Sequence, residues 1–220
     1  MKTCSERIFE NLCAAHSVPC ERIQEGTSKT ADYLIQMSNV EIVAEVKEIE
    51  RNSAERESDR LLKERGYGER LTNEPGDRVR NKIRKASPQI KRLTAGTKPG
   101  MLILFDGGRA NGHLDPYNLR VAMRGLEQVH IAVPRDPAQA PYATGMSHGP
   151  KKKMTEDSNT SISALAKIYS IDKDTTKLEI YHNRHAKIPI DPAEIHRVGF
   201  DQYFLIDSES GITEWRKYEL

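Results

Sequence analysis

The chain has 220 residues, of which 37% are hydrophobic and 30% are charged, and its formal net charge is +2. This length suits one domain with a real core, with or without an appended subdomain, and so balanced a charge does not by itself indicate nucleic acid. No apolar run is long enough to cross a membrane and the N-terminus lacks a signal-peptide core, so we expect a cytoplasmic protein without a membrane partner.

The N-terminal segment predicts a helix over residues 5–15, with Ser5 as its N-cap, followed by a short strand over residues 20–24. All three cysteines, Cys4, Cys13 and Cys20, lie in this segment. Their odd number fits a reducing compartment, and their spacing matches no usual zinc pattern. We therefore expect them to be core cysteines.

The next two segments predict a β-hairpin. Residues 31–37 and 40–47 are rich in β-branched and aromatic side chains, and the Ser-Asn pair between them has acceptable turn chemistry. A two-residue loop pairs Met37 with Val40. That register sets the face on which every other side chain of the hairpin lies.

Counting outward from the turn places Asp32 directly opposite Glu45, with Lys47 on the same face as Glu45. Two opposed carboxylates repel each other unless a cation lies between them. Two hard oxygen ligands with room for water suit Mg²⁺ or Mn²⁺, and such an ion promotes hydrolysis of a phosphodiester. The alternative is an amphipathic hairpin with a solvated, charged end.

Asp32 followed by Glu45-Val46-Lys47 at the end of an apolar strand resembles the PD-(D/E)xK nuclease superfamily. The resemblance implies that Asp32 and Glu45 bind a divalent metal, that the Val46 carbonyl is a further ligand, and that Lys47 assists catalysis. Ala31 stands where the motif has proline, which is not a ligand.

The superfamily often directs an acidic residue of its first helix toward the site, and Glu6 is the residue that the resemblance proposes for the metal shell. The alternative is that Glu6 is solvated and favours the helix N-terminus. Glu25, in the turn before the hairpin, is a weaker candidate, and its simpler interpretation is a loop glutamate.

After the hairpin, a charged segment predicts a helix over residues 53–65, capped by Ser53, that is either a flap over substrate or a solvated insertion. A basic amphipathic helix is predicted over residues 77–93, and Ser87-Pro88 is expected to break it into two. From residue 78 to residue 98 there are eight basic residues and no acidic ones, which favours attraction to phosphates.

Lys85, Gln89 and Arg92 share one edge of this basic helix. The resemblance implies that Gln89 and Lys85 point into the active site, and we expect all three to bind substrate. The alternative is a solvated basic face.

The remaining elements alternate strands and helices. Strands are predicted over residues 101–105, 129–133, 164–171, 178–182 and 200–206, and helices begin at Asp115-Pro116 and Asp191-Pro192. Residues 134–160 predict a polar, exposed loop, and His182 and His185 are interpreted as loop histidines.

The sequence thus predicts an α/β protein with a restriction-endonuclease-like core, a central mixed β-sheet flanked by helices, over residues 1–133. Residues 161–220 are expected to form an α+β extension packed on it. The predicted activity is that of a Mg²⁺- or Mn²⁺-dependent deoxyribonuclease. A catalytically inactive nucleic-acid-binding module of the same fold and a structural or interaction protein are the alternatives, and homodimer formation is left open.

Overall fold

A computed structural model describes residues 2–24, 29–37, 39–68, 74–107, 112–170, 175–208, 211 and 213–219. The helices are α1 (Cys4–Ala15), α2 (Ser53–Arg65), α3 (Asp77–Thr94), α4 (Pro116–Arg124) and α5 (Pro192–Val198). The strands are β1 (Cys20–Arg22), β2 (Tyr33–Met37), β3 (Val40–Glu48), β4 (Gly100–Phe105), β5 (Glu127–Ala132), β6 (Tyr142–His148), β7 (Ala164–Ser170), β8 (Thr176–His182), β9 (Asp201–Asp207) and β10 (Thr213–Lys217).

Eight of the strands form one mixed sheet in the order β1-β2-β3-β4-β7-β8-β9-β10, and β5 and β6 form a separate two-stranded sheet. Strands β3, β4 and β7 run parallel, and the hairpins β2–β3 and β7–β8 are antiparallel. The protein is therefore an α/β protein with a large mixed sheet flanked by helices. Strands β7 to β10, from the segment predicted as an extension, continue the same sheet.

Each face of the sheet has its own hydrophobic core. Phe9 and Leu12 of α1 and Ile195 of α5 pack on the face that carries Val46 and Ile103. The other face is covered by α3 and α4, whose apolar side chains pack on the face of Leu102 and Leu104: Val79, Ile83, Ala86, Ile90, Leu119, Ala122 and Met123. Strand β4 is buried along its whole length, as predicted for a central strand.

Helix α3 corrects one prediction, because it continues through Pro88 without a break. Proline has no N–H to donate to the carbonyl four residues earlier, that of Arg84. Both Pro88 and Arg84 are exposed, so water can satisfy that carbonyl. The amphipathic face that packs on the sheet is unaffected.

Two helix starts and two strands also differ from the prediction. Thr3 and Asn52, rather than Ser5 and Ser53, are the N-caps of α1 and α2, and each forms a capping box with the glutamate three residues later. Strand β6 lies within residues 134–160, which were predicted as a loop, and β10 was not predicted.

Glu25 and Ser38 lie outside the described residues, as do residues 108–111 of the glycine-containing loop after β4. Among the helices described, none combines the length and the apolar composition needed to cross a membrane.

Candidate functional site

The hairpin has the predicted register, and Asp32 lies just beyond its last ladder pair. Met37 pairs with Val40 and the ladder continues to Tyr33 opposite Ala44. The Asp32 N–H donates to the Ala44 carbonyl at 3.1 Å, and Asp32 Oδ2 accepts the Val46 N–H at 2.8 Å. The Asp32 carboxylate thus takes the place of a backbone acceptor at the end of the ladder and is fixed against β3.

Glu45 and Lys47 lie on the face of the sheet that α3 covers. In the parallel ladder Glu45 pairs with Leu102 and Lys47 with Leu104, and both leucines belong to the core under α3. The Glu45 side chain has 0% exposure, whereas that of Lys47 is 27% exposed. Glu45 is therefore fully buried beneath α3, whereas the neighbouring Lys47 side chain is partly exposed to solvent.

The Glu45 carboxylate has few partners in its buried position. The Lys47 ammonium forms an ion pair with Oε1. Among the described residues, however, Oε2 of Glu45 has no hydrogen-bond partner. A buried charged group in this condition is costly, because it has lost water without gaining equivalent partners.

The pKa values of both carboxyl groups reflect this environment. Burial raises the pKa of Glu45 to about 7; the Asp32 charge adds to this effect and the Lys47 ammonium opposes it. Burial also raises the pKa of Asp32, against the Val46 N–H bond and the Lys47 charge, which lower it. Perturbed carboxyl groups of this kind are concentrated at functional sites.

The residues present fit a hard divalent cation with few protein ligands. Residues 44 and 46 direct their backbone polar groups toward β2, because the Ala44 carbonyl and the Val46 N–H both bond to Asp32 there. A strand residue directs its N–H and C=O to the same side, so the Val46 carbonyl points to the side of Asp32. The described residues contain no group of three or more His, Cys, Asp or Glu side chains suited to a metal. Two carboxylates and a carbonyl leave the remaining positions to water, as Mg²⁺ prefers.

Glu6 is not brought into direct contact with this pair. One of its carboxylate oxygens accepts the Thr3 N–H in the capping box of α1, and the other is bound by Arg22 at 3.1 Å. Its charge nevertheless contributes to the raised pKa of Asp32. Glu6 would have to leave Arg22 and Thr3 to become a ligand, and its role in the metal shell stays a prediction.

The three helix residues predicted to bind substrate have different environments. Gln89 donates to the Thr30 carbonyl at 3.0 Å, and Arg92 donates to the Lys29 carbonyl at 3.2 Å. Both residues therefore hold the segment that leads into β2, and hence position Asp32. Lys85 and Arg92 are exposed, whereas Gln89 is half-buried.

Lys82 is a further basic residue of α3, near Lys47, that the sequence reasoning did not single out. It is half-buried, and burial lowers its pKa, with the charges of Lys85 and Lys47 adding to the effect. The sequence spacing could have indicated Lys82, because residues 82, 85 and 89 are three and four positions apart and so lie on one helix face. Lys82 therefore lies close enough to Lys47 and Lys85 for their charges to act on it.

Comparisons of the chain with protein-family models, with curated proteins and with solved structures give no match.

Proposed function

We propose that this protein is a Mg²⁺- or Mn²⁺-dependent deoxyribonuclease with a restriction-endonuclease-like core that hydrolyses phosphodiester bonds. The observation that carries the proposal is the Glu45 carboxylate, which is fully buried beside the Asp32 carboxyl group and has the Lys47 ammonium as its counter-charge. Two neighbouring carboxyl groups destabilise each other when both are charged, and a divalent cation between them would offset that repulsion.

Asp32 and Glu45, with the Val46 carbonyl, are the groups that would hold the cation. A divalent cation there supplies Lewis-acid polarisation of the phosphate and makes water more acidic. The Val46 N–H holds the Asp32 carboxylate in one orientation, so the ligand is preorganised. Lys47 is partly exposed and paired with Glu45, and its role in the proposal is to bind a phosphate oxygen or to orient the attacking water.

The basic face of α3 provides attraction for the substrate. Lys82 and Lys85 lie on α3, close enough to each other for their charges to interact, and the stretch from residue 78 to residue 98 contains no acidic residue. Ammonium and guanidinium groups at this density attract the nucleic-acid backbone in a salt-dependent manner without reading its sequence. We propose DNA as the substrate, and the experiment includes RNA for comparison.

The proposal is tested by incubating the full chain with supercoiled plasmid, linear duplex, single-stranded DNA and RNA in Mg²⁺, Mn²⁺ or EDTA. The informative variants are Asp32→Asn and Lys47→Ala. Lys217→Ala is a matched control, because Lys217 is also a strand lysine paired with an acidic residue, Asp201, at 2.6 Å.

We expect cleavage of DNA that requires the metal and survives in Lys217→Ala. In Asp32→Asn and Lys47→Ala we expect the rate to fall by about 10² to 10⁴, the range for loss of a group acting on the reacting water. DNA binding at low salt without cleavage under any condition would refute the nuclease and indicate a binding module. Equal cleavage by all variants would place the activity elsewhere.

A further inference from the structure

A cavity of about 340 Å³ lies at the C-terminal end of α3, and we call it the lysine pocket. Its walls come from the end of α3 with the turn that follows, from the segment before β7 and from the segment after β8. The lining includes three lysines and two residues with hydroxyl groups, Lys91, Lys98, Lys187, Thr160 and Ser161. A volume of this size is at the lower end of the range for small-molecule sites.

The lysine pocket carries an excess of positive charge. Among the described residues that line it, none is acidic. Lys98 is paired with Glu41 of β3. Lys91 and Lys187 have no ion-pair partner in the part of the chain that the structure describes. A cleft lined by charges of one sign raises the local concentration of the opposite ion, so this pocket attracts an anion.

The Lys187 ammonium lies against another wall of the pocket. A Cβ on Gly96 would be 2.9 Å from the Lys187 Nζ, so the ammonium lies directly over the backbone of this glycine. Gly96 has a φ of +72°, which a glycine adopts without cost, and its missing side chain leaves room for the ammonium. The Lys187 N–H donates to the Thr160 carbonyl at 2.8 Å, which holds the Lys187 backbone beside the same pocket.

Capping of α3 does not account for these lysines. The C-terminal end of a helix attracts cations, and Lys91 lies in the last turn of α3. However, the carbonyl of Thr94, the last residue of α3, accepts the N–H groups of Thr97 and Lys98 at 2.8 and 3.2 Å. The backbone therefore satisfies this carbonyl without a lysine side chain, and the ammonium groups of Lys91 and Lys187 are available to a ligand.

The lysine pocket is separate from the candidate metal site. Gln89 faces the segment before β2, because it donates to the Thr30 carbonyl. Lys91 follows two positions later, and each helical residue turns by about 100°, so Lys91 lies on roughly the opposite side of α3. A ligand in the pocket would therefore not contact Asp32 or Glu45.

A second, larger cavity of about 530 Å³ is also lined by basic residues but differs in its charge balance. Its two arginines, Arg124 and Arg184, are both paired with Asp207. Glu156 and Asp157 lie in its wall. This second cavity therefore has less attraction for an anion than the lysine pocket has.

We propose that the lysine pocket binds phosphate, either as the free ion or as the phosphate group of a small phosphomonoester, through the ammonium groups of Lys91 and Lys187. Hydrogen bonds between ammonium groups and phosphate oxygens are charge-assisted and therefore strong. Thr160 and Ser161 add hydroxyl donors to the lining, and Ile188 adds an apolar wall suited to the organic part of an ester. The proposal does not depend on the nuclease activity.

The test is a heteronuclear NMR titration of the full chain in EDTA with inorganic phosphate, deoxyadenosine monophosphate or deoxyadenosine. Concentrations reach about 10 mM, above the millimolar dissociation constants of weak sites. The variants are Lys91→Ala and Lys187→Ala. Lys152→Ala is a matched control, because Lys152 is an exposed lysine in the wall of the second cavity. The spectra also report whether each variant is folded.

We expect both phosphates to bind, with a dissociation constant at least tenfold higher in each pocket variant, as for loss of a hydrogen bond to a charged group. Lys152→Ala and Asp32→Asn should bind as the unmodified chain does, and the latter result separates this site from the nuclease. Tighter binding of the monophosphate would identify the ester as the ligand, and equal affinity would identify the free ion.

Three results would overturn the proposal. The first is no binding of either phosphate at any concentration. The second is a dissociation constant that is unchanged in both Lys91→Ala and Lys187→Ala, since the phosphate would then bind elsewhere. The third is binding of deoxyadenosine as tight as that of its monophosphate, since the phosphate group would then contribute nothing.

Discussion

Replacing Glu45 by glutamine should stabilise the fold above neutral pH. At that pH the buried carboxyl group is ionised, and a buried negative charge destabilises the folded state. Its pKa rises from an ordinary value of 4.5 to about 7 in the folded protein. At about 1.4 kcal/mol for each pKa unit, this shift corresponds to about 3 kcal/mol. Since the Glu45 side chain has 0% exposure, water does not screen this effect.

The sign follows from proton linkage. A carboxyl group whose pKa is raised on folding binds its proton more tightly in the folded state. Its full stabilising contribution to the free energy of unfolding is therefore present below pH 4.5. That contribution is lost as the pH rises through about 7. Glu45→Gln removes the titration, so its advantage over the unmodified chain should grow by roughly 2 to 3 kcal/mol between pH 5 and pH 8.

Urea unfolding in EDTA at several values of pH between 5 and 8 measures this difference directly. Glu41→Gln is the control, because Glu41 lies on the same strand but is 37% exposed and paired with Lys98. The advantage of Glu45→Gln should also shrink when Mg²⁺ is added to the unmodified chain at pH 8, since ligands that bind the folded state stabilise it. Parallel pH profiles for Glu45→Gln and the unmodified chain would refute the reasoning.

Two further predictions concern the elements that position the site. Gln89→Ala removes the hydrogen bond to the Thr30 carbonyl and should lower the free energy of unfolding by about 1 to 2 kcal/mol in urea titrations. An unchanged unfolding midpoint would mean that Gln89 does not hold the segment before β2 in place. Ile83→Ala opens a cavity where α3 packs on the sheet and should cost about 2 to 5 kcal/mol; a loss below about 1 kcal/mol in thermal unfolding would mean that the interface is not well packed.

The hairpin was predictable because its signals are local. Alternating side chains and a two-residue turn determine the register from Met37 and Val40 to Tyr33 and Ala44, and the structure has that register. The same local counting brought Asp32 next to Glu45. It did not predict that the Asp32 side chain would replace a backbone acceptor for the Val46 N–H, since that depends on where the ladder ends.

The parts that were missed depend on tertiary contacts. Pro88 predicts a helix break in isolation, but packing of α3 on the sheet and an exposed position for the proline keep the helix continuous. Gln89 lies on the predicted helix edge, yet its partner is the Thr30 carbonyl, 59 residues earlier, which no local pattern indicates. Strand β6 has the polar, glycine-containing composition of a loop, and only its pairing with β5 makes it a strand.

The central claim is that Asp32 and Glu45 hold a divalent cation, and calorimetric titration of the full chain with Mn²⁺ at pH 8 tests it without any knowledge of the substrate. Metal binding requires a deprotonated carboxylate, and pH 8 lies above the pKa of about 7 of Glu45. We predict that the unmodified chain and Glu41→Gln bind a single Mn²⁺ ion with the same affinity, and that Asp32→Asn binds it at least tenfold more weakly. Equal affinity in Asp32→Asn, or no binding by the unmodified chain, would contradict the account.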